Sequence, residues 1–224
     1  REAQPLIGER ILGALGERAC VEDVLAGVEQ DPADQGEEGP DDREFYVDLC
    51  SRAKGVQAWA GEWADAEPRS SLPMLVRGAH AIEWAWLARG TAYAKDTSSA
   101  QIRLFARRLR QAHDYLTEAC ARDPRDPAPW SHLIVCGVGQ NLRVDEAQRR
   151  FGEAVSRHRW HRGAHRGLFM ALCQKWGGSD ALMYRFAVET AAAAPPETGL
   201  ASLIADAHLE RWVLLGRGDE ALAY

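Results

Sequence analysis

Residues 112–212 repeat themselves at a fixed spacing, and this limits the fold more than any other feature of the chain. Ala112, Ala147 and Leu182 stand 35 residues apart, as do Leu116, Phe151 and Phe186, and Ala119, Ala154 and Glu189. Within each unit the offsets are four and three, which puts the three positions on one face of a helix. A period near 35 belongs to stacked helical hairpins, each burying its apolar face against the next. The expected fold is all-α: an α-solenoid of antiparallel helical hairpins.

Apolar spacing extends the reading in both directions. Leu6, Ile7, Ile11, Leu12 and Leu15, then Val21, Val24, Leu25 and Val28, read as two short helices. Residues 31–42 carry six acids, two prolines and two glycines and read as a solvated linker, giving a boundary between residues 1–42 and 43–224. Tyr46, Leu49, Ala53, Val56, Ala60 and Trp63 then alternate by three and four, predicting one helix that ends before Pro68. Ser70, Ser71 and Pro73 open the next, with Leu75, Ala79, Ile82, Trp86 and Tyr93 expected on its buried face. Ser98 and Gln101 have the spacing of a capping box ahead of a long helix that stops at Asp123-Pro124. Pro127 and Pro129 are expected to lead into a helix carrying Trp130, Leu133, Ile134 and Gly137, followed by a turn over 141–144 and a partner helix starting at Asp145 with Ala147, Phe151 and Ala154. Helices over 163–175, 179–194 and 200–215 are expected next, with a further one beginning at Glu220.

Composition excludes several classes. A net charge of −6 argues against a general nucleic-acid binder, whose footprint is basic. Five scattered cysteines without a Cys-x-x-Cys pair argue against a disulfide framework or zinc ribbon and point to a reducing cytoplasm. No apolar run is long enough for a membrane helix, so no membrane partner is expected. The start lacks a signal-peptide layout, and Arg1 in place of an initiator Met suggests a trimmed chain.

The pattern Ala112-x3-Leu116-x2-Ala119-x4-Pro124 resembles the second helix of a tetratricopeptide repeat with its terminal proline. Trp130 and Leu133 stand where that family has its Trp and Leu, while Ile134 takes the place of a small residue and His165 that of the next Trp. Trp84-Ala85-Trp86-Leu87-Ala88-Arg89-Gly90, Asp123-Pro124 with Trp130, and Lys175-Trp176-Gly177-Gly178-Ser179 are also similar to a bacterial family of unknown function marked by that Lys-Trp-Gly-Gly-Ser turn. The resemblance implies no activity, cofactor or catalytic residue.

Three features invite a chemical reading, and each has a structural one. The Lys175–Asp180 turn has paired glycines and a helix start that could hold an anion. The same residues serve as a left-handed helix stop (Gly177 or Gly178), an N-cap (Ser179), a dipole partner (Asp180) and a cation against the preceding helix end (Lys175). The spacing is not that of a P-loop, which favours the structural role. Residues 149–166 hold six arginines and three histidines against the single acid Glu153, and read as the concentrated positive charge of an acidic protein. They suit an acidic partner, a phosphate or a solvated helix face, the last being the usual outcome. His161 and His165 are four apart, as zinc ligands on a helix can be, but nothing completes a ligand set, so no metal is expected. No nucleophile or dinucleotide motif appears, and no cofactor is expected.

Two functions remain. The first is a non-enzymatic scaffold that takes a protein or peptide segment in a concave groove. The tetratricopeptide resemblance places His132, Arg166, Met170 and His208 in that groove, and the small, apolar lining with Arg166 suits an acidic or C-terminal-carboxylate peptide. The alternative is an enzyme or small-molecule binder with a pocket lined by Arg77, His80, Glu83 and Arg89, four polar residues on one predicted helix.

Overall fold

The computed structural model describes residues 40–91 and 96–215, and these are helical throughout, without strands. The two N-terminal helices, the linker over residues 31–39, Tyr93 and the segment after residue 215 lie outside the described residues. In chain order the helices are α1 (Pro40–Ser51), α2 (Val56–Ala66), α3 (Leu72–Arg89), α4 (Ser99–Arg122), α5 (Ala128–Gly139), α6 (Val144–Arg157), α7 (Arg162–Leu172), α8 (Asp180–Ala193) and α9 (Leu203–Leu214). They form two compact units that meet in sequence at Arg125 and Asp126. None of the described helices is long and apolar enough to cross a membrane.

In the first unit the single helix expected over residues 43–67 is two. Gly55 takes a left-handed conformation (φ 73°) after α1, and α2 restarts from its carbonyl. That conformation carries no Cβ penalty for glycine. The break also moves the buried row of α1 by one, to Val47 and Cys50, whereas Val56, Ala60 and Trp63 of α2 are buried as their spacing predicts. The acidic segment gives way to helix at Pro40, two residues before its expected end.

The long helix α4 starts on the expected capping box: Ser98 Oγ accepts from the Gln101 amide and the Gln101 side chain accepts from the Ser98 amide. Its Leu109, Ala112, Leu116 and Ala119 are fully buried. Burial of each leucine is worth about 1.5–3 kcal/mol. Helix α3 packs against α4 closely enough that a Cβ on Gly78 would stand 2.5 Å from the Leu116 side chain.

In the second unit α5 packs on α6 and α7, and α8 packs on α7 and α9. Ala147 and Ala154 of α6 are buried, matching Ala112 and Ala119 of α4. In α8 the buried row is instead Met183, Ala187 and Thr190, 36 residues on from 147, 151 and 154, and Glu189 is exposed. The extra residue follows from the Gly177-Gly178 turn. Helix α7 ends at Leu172, and a 3₁₀ turn over Gln174–Trp176 precedes Gly177 with φ 92°. The Gly178 and Ser179 amides then donate back to the Cys173 and Leu172 carbonyls, at 3.2 and 3.0 Å. This presses Gly178 so close to Leu172 that a Cβ would lie 1.9 Å from its carbonyl oxygen. Ser179 Oγ caps α8 by accepting from the Leu182 amide. Lys175 does not sit on the preceding helix end: the 3₁₀ turn carries it to Glu210 of α9, with Nζ 2.7 Å from Oε2.

Candidate functional site

The first unit contains a cleft of about 250 Å³ between α2, α3 and α4. Val56 and Gln57 contribute from α2, Arg77, His80, Ala81 and Trp84 from α3, and Gln111 and Tyr115 from α4. On α3 these positions follow helical geometry: at about 100° per residue, Ala81 and Trp84 fall within about 40° of Arg77. Glu83 and Arg89 fall about 120° to either side. The structure separates them accordingly. Glu83 leaves the cleft row to pair with Arg52 of the α1 end at 3.1 Å, with both side chains well exposed. Arg89 donates to the Gly90 carbonyl at 3.1 Å. Of the four polar residues expected to line a pocket on this helix, Arg77 and His80 do so.

Arg77 lies over the Tyr115 ring, 4.1 Å from its centroid, and donates to Tyr115 Oη at 2.8 Å. Its other contact is with Met74 Sδ, and it has no carboxylate partner among the described residues. His80 is oriented by Nδ1, which lies 2.6 Å from the Ser51 carbonyl oxygen. A carbonyl oxygen only accepts, so Nδ1 carries the proton, and Nε2 bears the lone pair in the neutral ring. That Nε2 is shielded and finds no hydrogen-bond partner. The His80 ring is stacked with Trp84. Arg108, one turn before Gln111 on α4, lies over the Trp84 ring with its guanidinium carbon 3.5 Å from the centroid, and donates Nη1 to the Trp84 carbonyl. Burial, and then the like charge of Arg107, pull Arg108 below the ordinary guanidinium value.

Sequence reasoning missed the α4 wall. Gln111 and Tyr115 form that wall, and the acid-free run beside them, between Asp96 and Asp114, holds Arg103, Arg107, Arg108 and Arg110. Arg103, Arg107 and Arg110 are exposed, with no carboxylate partner among the described residues.

Of the six arginines in the run over residues 149–166, read as the concentrated positive charge, three are paired with acids of their own helix, while Arg159, Arg162 and Arg166 are exposed. Arg149 and Arg150 both hold Glu146, at 2.8 and 2.7 Å, and Arg157 holds Glu153 at 2.8 Å. The Glu146 carboxyl falls to about 2, first through its bond from Arg149, then Arg150. Buried Arg150 also donates to the Leu133 carbonyl, tying α6 to α5. His161 and His165 serve the backbone: His161 Nδ1 accepts from the Ala164 amide at the start of α7, and His165 Nδ1 donates to the His161 carbonyl. His165 fills the expected Trp position by packing its ring on Phe151, Trp160 and Phe186.

The four groove residues are distributed unevenly. His132 is 7% exposed, with Nδ1 donating to the Ala128 carbonyl at 2.9 Å. Arg166 is exposed and 3.7 Å from Asp206 of α9. Met170 is half-buried, and His208 is exposed with its ring against Tyr184. No family model matches this chain, and neither a curated protein nor a solved structure does.

Proposed function

We propose that this is a non-enzymatic helical-repeat binding protein that receives an organic anion in the α2–α3–α4 cleft. The observation that carries the reading is Arg77, a cation on the cleft wall whose guanidinium rests on Tyr115 without a carboxylate partner among the described residues. A cation partly withdrawn from water without a counter-charge is unfavourable, and an incoming anion restores the balance. Gln57 and Gln111 supply amide donors and acceptors at the mouth, while Val56, Ala81 and Trp84 supply apolar surface. The 35-residue recurrence, with its matching buried rows in α4 and α6, supports tetratricopeptide-like hairpins as the frame.

Calorimetric titration with a panel of small carboxylates, each beside its neutral amide, tests the reading. Carboxylate-selective binding lost in Arg77→Met supports it; equal heats for acids and amides reject it.

A second reading places an acidic peptide on α7 and α9. It is favoured by Arg166, whose side chain is 58% exposed and whose contact with Asp206, at 3.7 Å, is long for an ion pair. Binding of acidic peptides that is abolished by Arg166→Ala and untouched by Arg77→Met would select it.

A further inference from the structure

The α3–α4 hairpin carries two such cations, placed reciprocally: Arg77 lines the cleft, and Arg108 stands just outside its lining, against Trp84. Arg77 of α3 lies on Tyr115 of α4, and Arg108 of α4 lies on Trp84 of α3. Each arginine stands two turns from the aromatic residue its own helix contributes (77 to 84, 108 to 115), which is about 10 Å of helix axis. The paired contacts, 77 with 115 and 84 with 108, show that the helices run antiparallel, so the two guanidinium groups mark opposite ends of one strip. Between them lie His80 and Ala81 on one side and Gln111 on the other. Neither arginine has a carboxylate partner among the described residues, and Arg108 keeps a buried Nε without an acceptor.

We infer that the cleft, together with Arg108 at its Trp84 end, recognises a dicarboxylate, with one carboxylate answering Arg77 inside, the other Arg108 at the edge, and the carbon chain lying across Ala81 and Trp84. The inference rests on the organic-anion reading above and sharpens it. Two cations separated along a strip select two separated charges, where a single compact dianion would reach only one of them. Arg103, Arg107 and Arg110, exposed on the same helix, add a positive field that draws dianions in more strongly than monoanions.

The experiment uses the full chain labelled with 5-fluorotryptophan, the Trp84 signal being assigned by its loss in Trp84→Phe. Calorimetry and that ¹⁹F signal follow the linear dicarboxylates from succinate to azelate, each beside the monocarboxylate of equal length. We expect one length to bind about tenfold or more tighter than its monocarboxylate, with a gap that narrows as salt is added. Arg108→Met should close the gap while leaving monocarboxylate binding in place, and Arg108→Lys should restore part of it. Urea unfolding confirms that each variant is folded. Equal affinity for mono- and dicarboxylates, or a gap indifferent to Arg108→Met, overturns the dicarboxylate assignment and leaves the organic-anion reading standing. A Trp84 signal and heats that respond to no carboxylate overturn both.

Discussion

Two regions use positive charge in opposite ways: Arg77 with the early part of α4 (Arg103, Arg107, Arg108 and Arg110), and helix α6. In the second, Arg149, Arg150 and Arg157 close onto acids three or four residues away on their own helix, and Arg150 also secures the Leu133 carbonyl. In the first, Arg77 and Arg108 lie on aromatic faces, as Arg149 and Arg157 also do on Trp130, but Arg77, Arg108 and the exposed Arg103, Arg107 and Arg110 have no carboxylate partners among the described residues. Density of arginine therefore does not mark a binding face. What marks it is the lack of acids at helical distance, because i,i+3 and i,i+4 pairs consume charge before any ligand arrives.

The contrast makes the second unit a place where side chains serve the fold, and the sharpest way to break it is at Gly178. A Cβ there would collide with the Leu172 carbonyl, which is main chain and cannot rotate away. Gly178→Ala should destabilise by about 3 kcal/mol, and Gly177→Ala, which meets open space but has φ 92°, by about 1 kcal/mol. Urea midpoints for both measure this. Unchanged midpoints would free the Lys-Trp-Gly-Gly-Ser turn for an anion-binding role.

Arg150→Met is the next test, since it leaves the Leu133 carbonyl without that donor and half of the Glu146 pairing undone. A loss of about 2 kcal/mol in the same unfolding assay is expected. A neutral outcome would mean that the arginines of α6 are as dispensable to the fold as those of the first region.

Acid should act through His161. Burial, with the like charges of His158, His132 and His165 behind it, lowers its imidazole from 6.5 to about 3. The unfolded chain takes up this proton near 6.5 and the folded protein only near 3, so the unfolded state holds more protons in between. Stability is complete above that window and falls as pH drops through it, by about 1.4 kcal/mol per pH unit while only the unfolded form titrates. His161→Asn keeps a good N-cap residue and should flatten urea-derived stability between pH 6.5 and 5. A slope that persists in the variant assigns the acid sensitivity to other groups.

The smallest effect is expected from Arg77→Met and Arg108→Met. Each loses an arginine–aromatic contact worth about 0.5–1 kcal/mol and one hydrogen bond (to Tyr115 Oη or the Trp84 carbonyl) but is relieved of a charge without a carboxylate partner, so the net loss should stay below that of Arg150→Met. A large loss in either would make these arginines fold residues too, and the contrast between the two regions would collapse.

Much of the frame was legible in the sequence. The Ser98–Gln101 capping box, the stop at Asp123, the N-cap at Ser179 and the buried Ala112–Leu116–Ala119 row all follow from local rules that act within a turn or two of chain. Gly55 escaped such reading because an apolar rhythm of three and four runs straight across it, and periodicity does not register a left-handed residue that resets the helix. In α8 the same logic failed by one position, since the Gly177-Gly178 turn changes the phase without changing the pattern.

The candidate site divides in the same way. Arg77 and His80 were visible as polar residues on an apolar helix, and helix geometry alone sets Glu83 and Arg89 apart from them. That Tyr115 meets Arg77 and Arg108 meets Trp84 was decided by the packing of α3 against α4, across 38 and 24 residues of sequence. The sequence by itself determined which segments become helices, because capping, apolar spacing and glycine stops are settled between near neighbours. Only the tertiary structure decided which charges stay unpaired around a cleft, because pairing depends on which helix faces close together and which groups come within hydrogen-bond reach once they have.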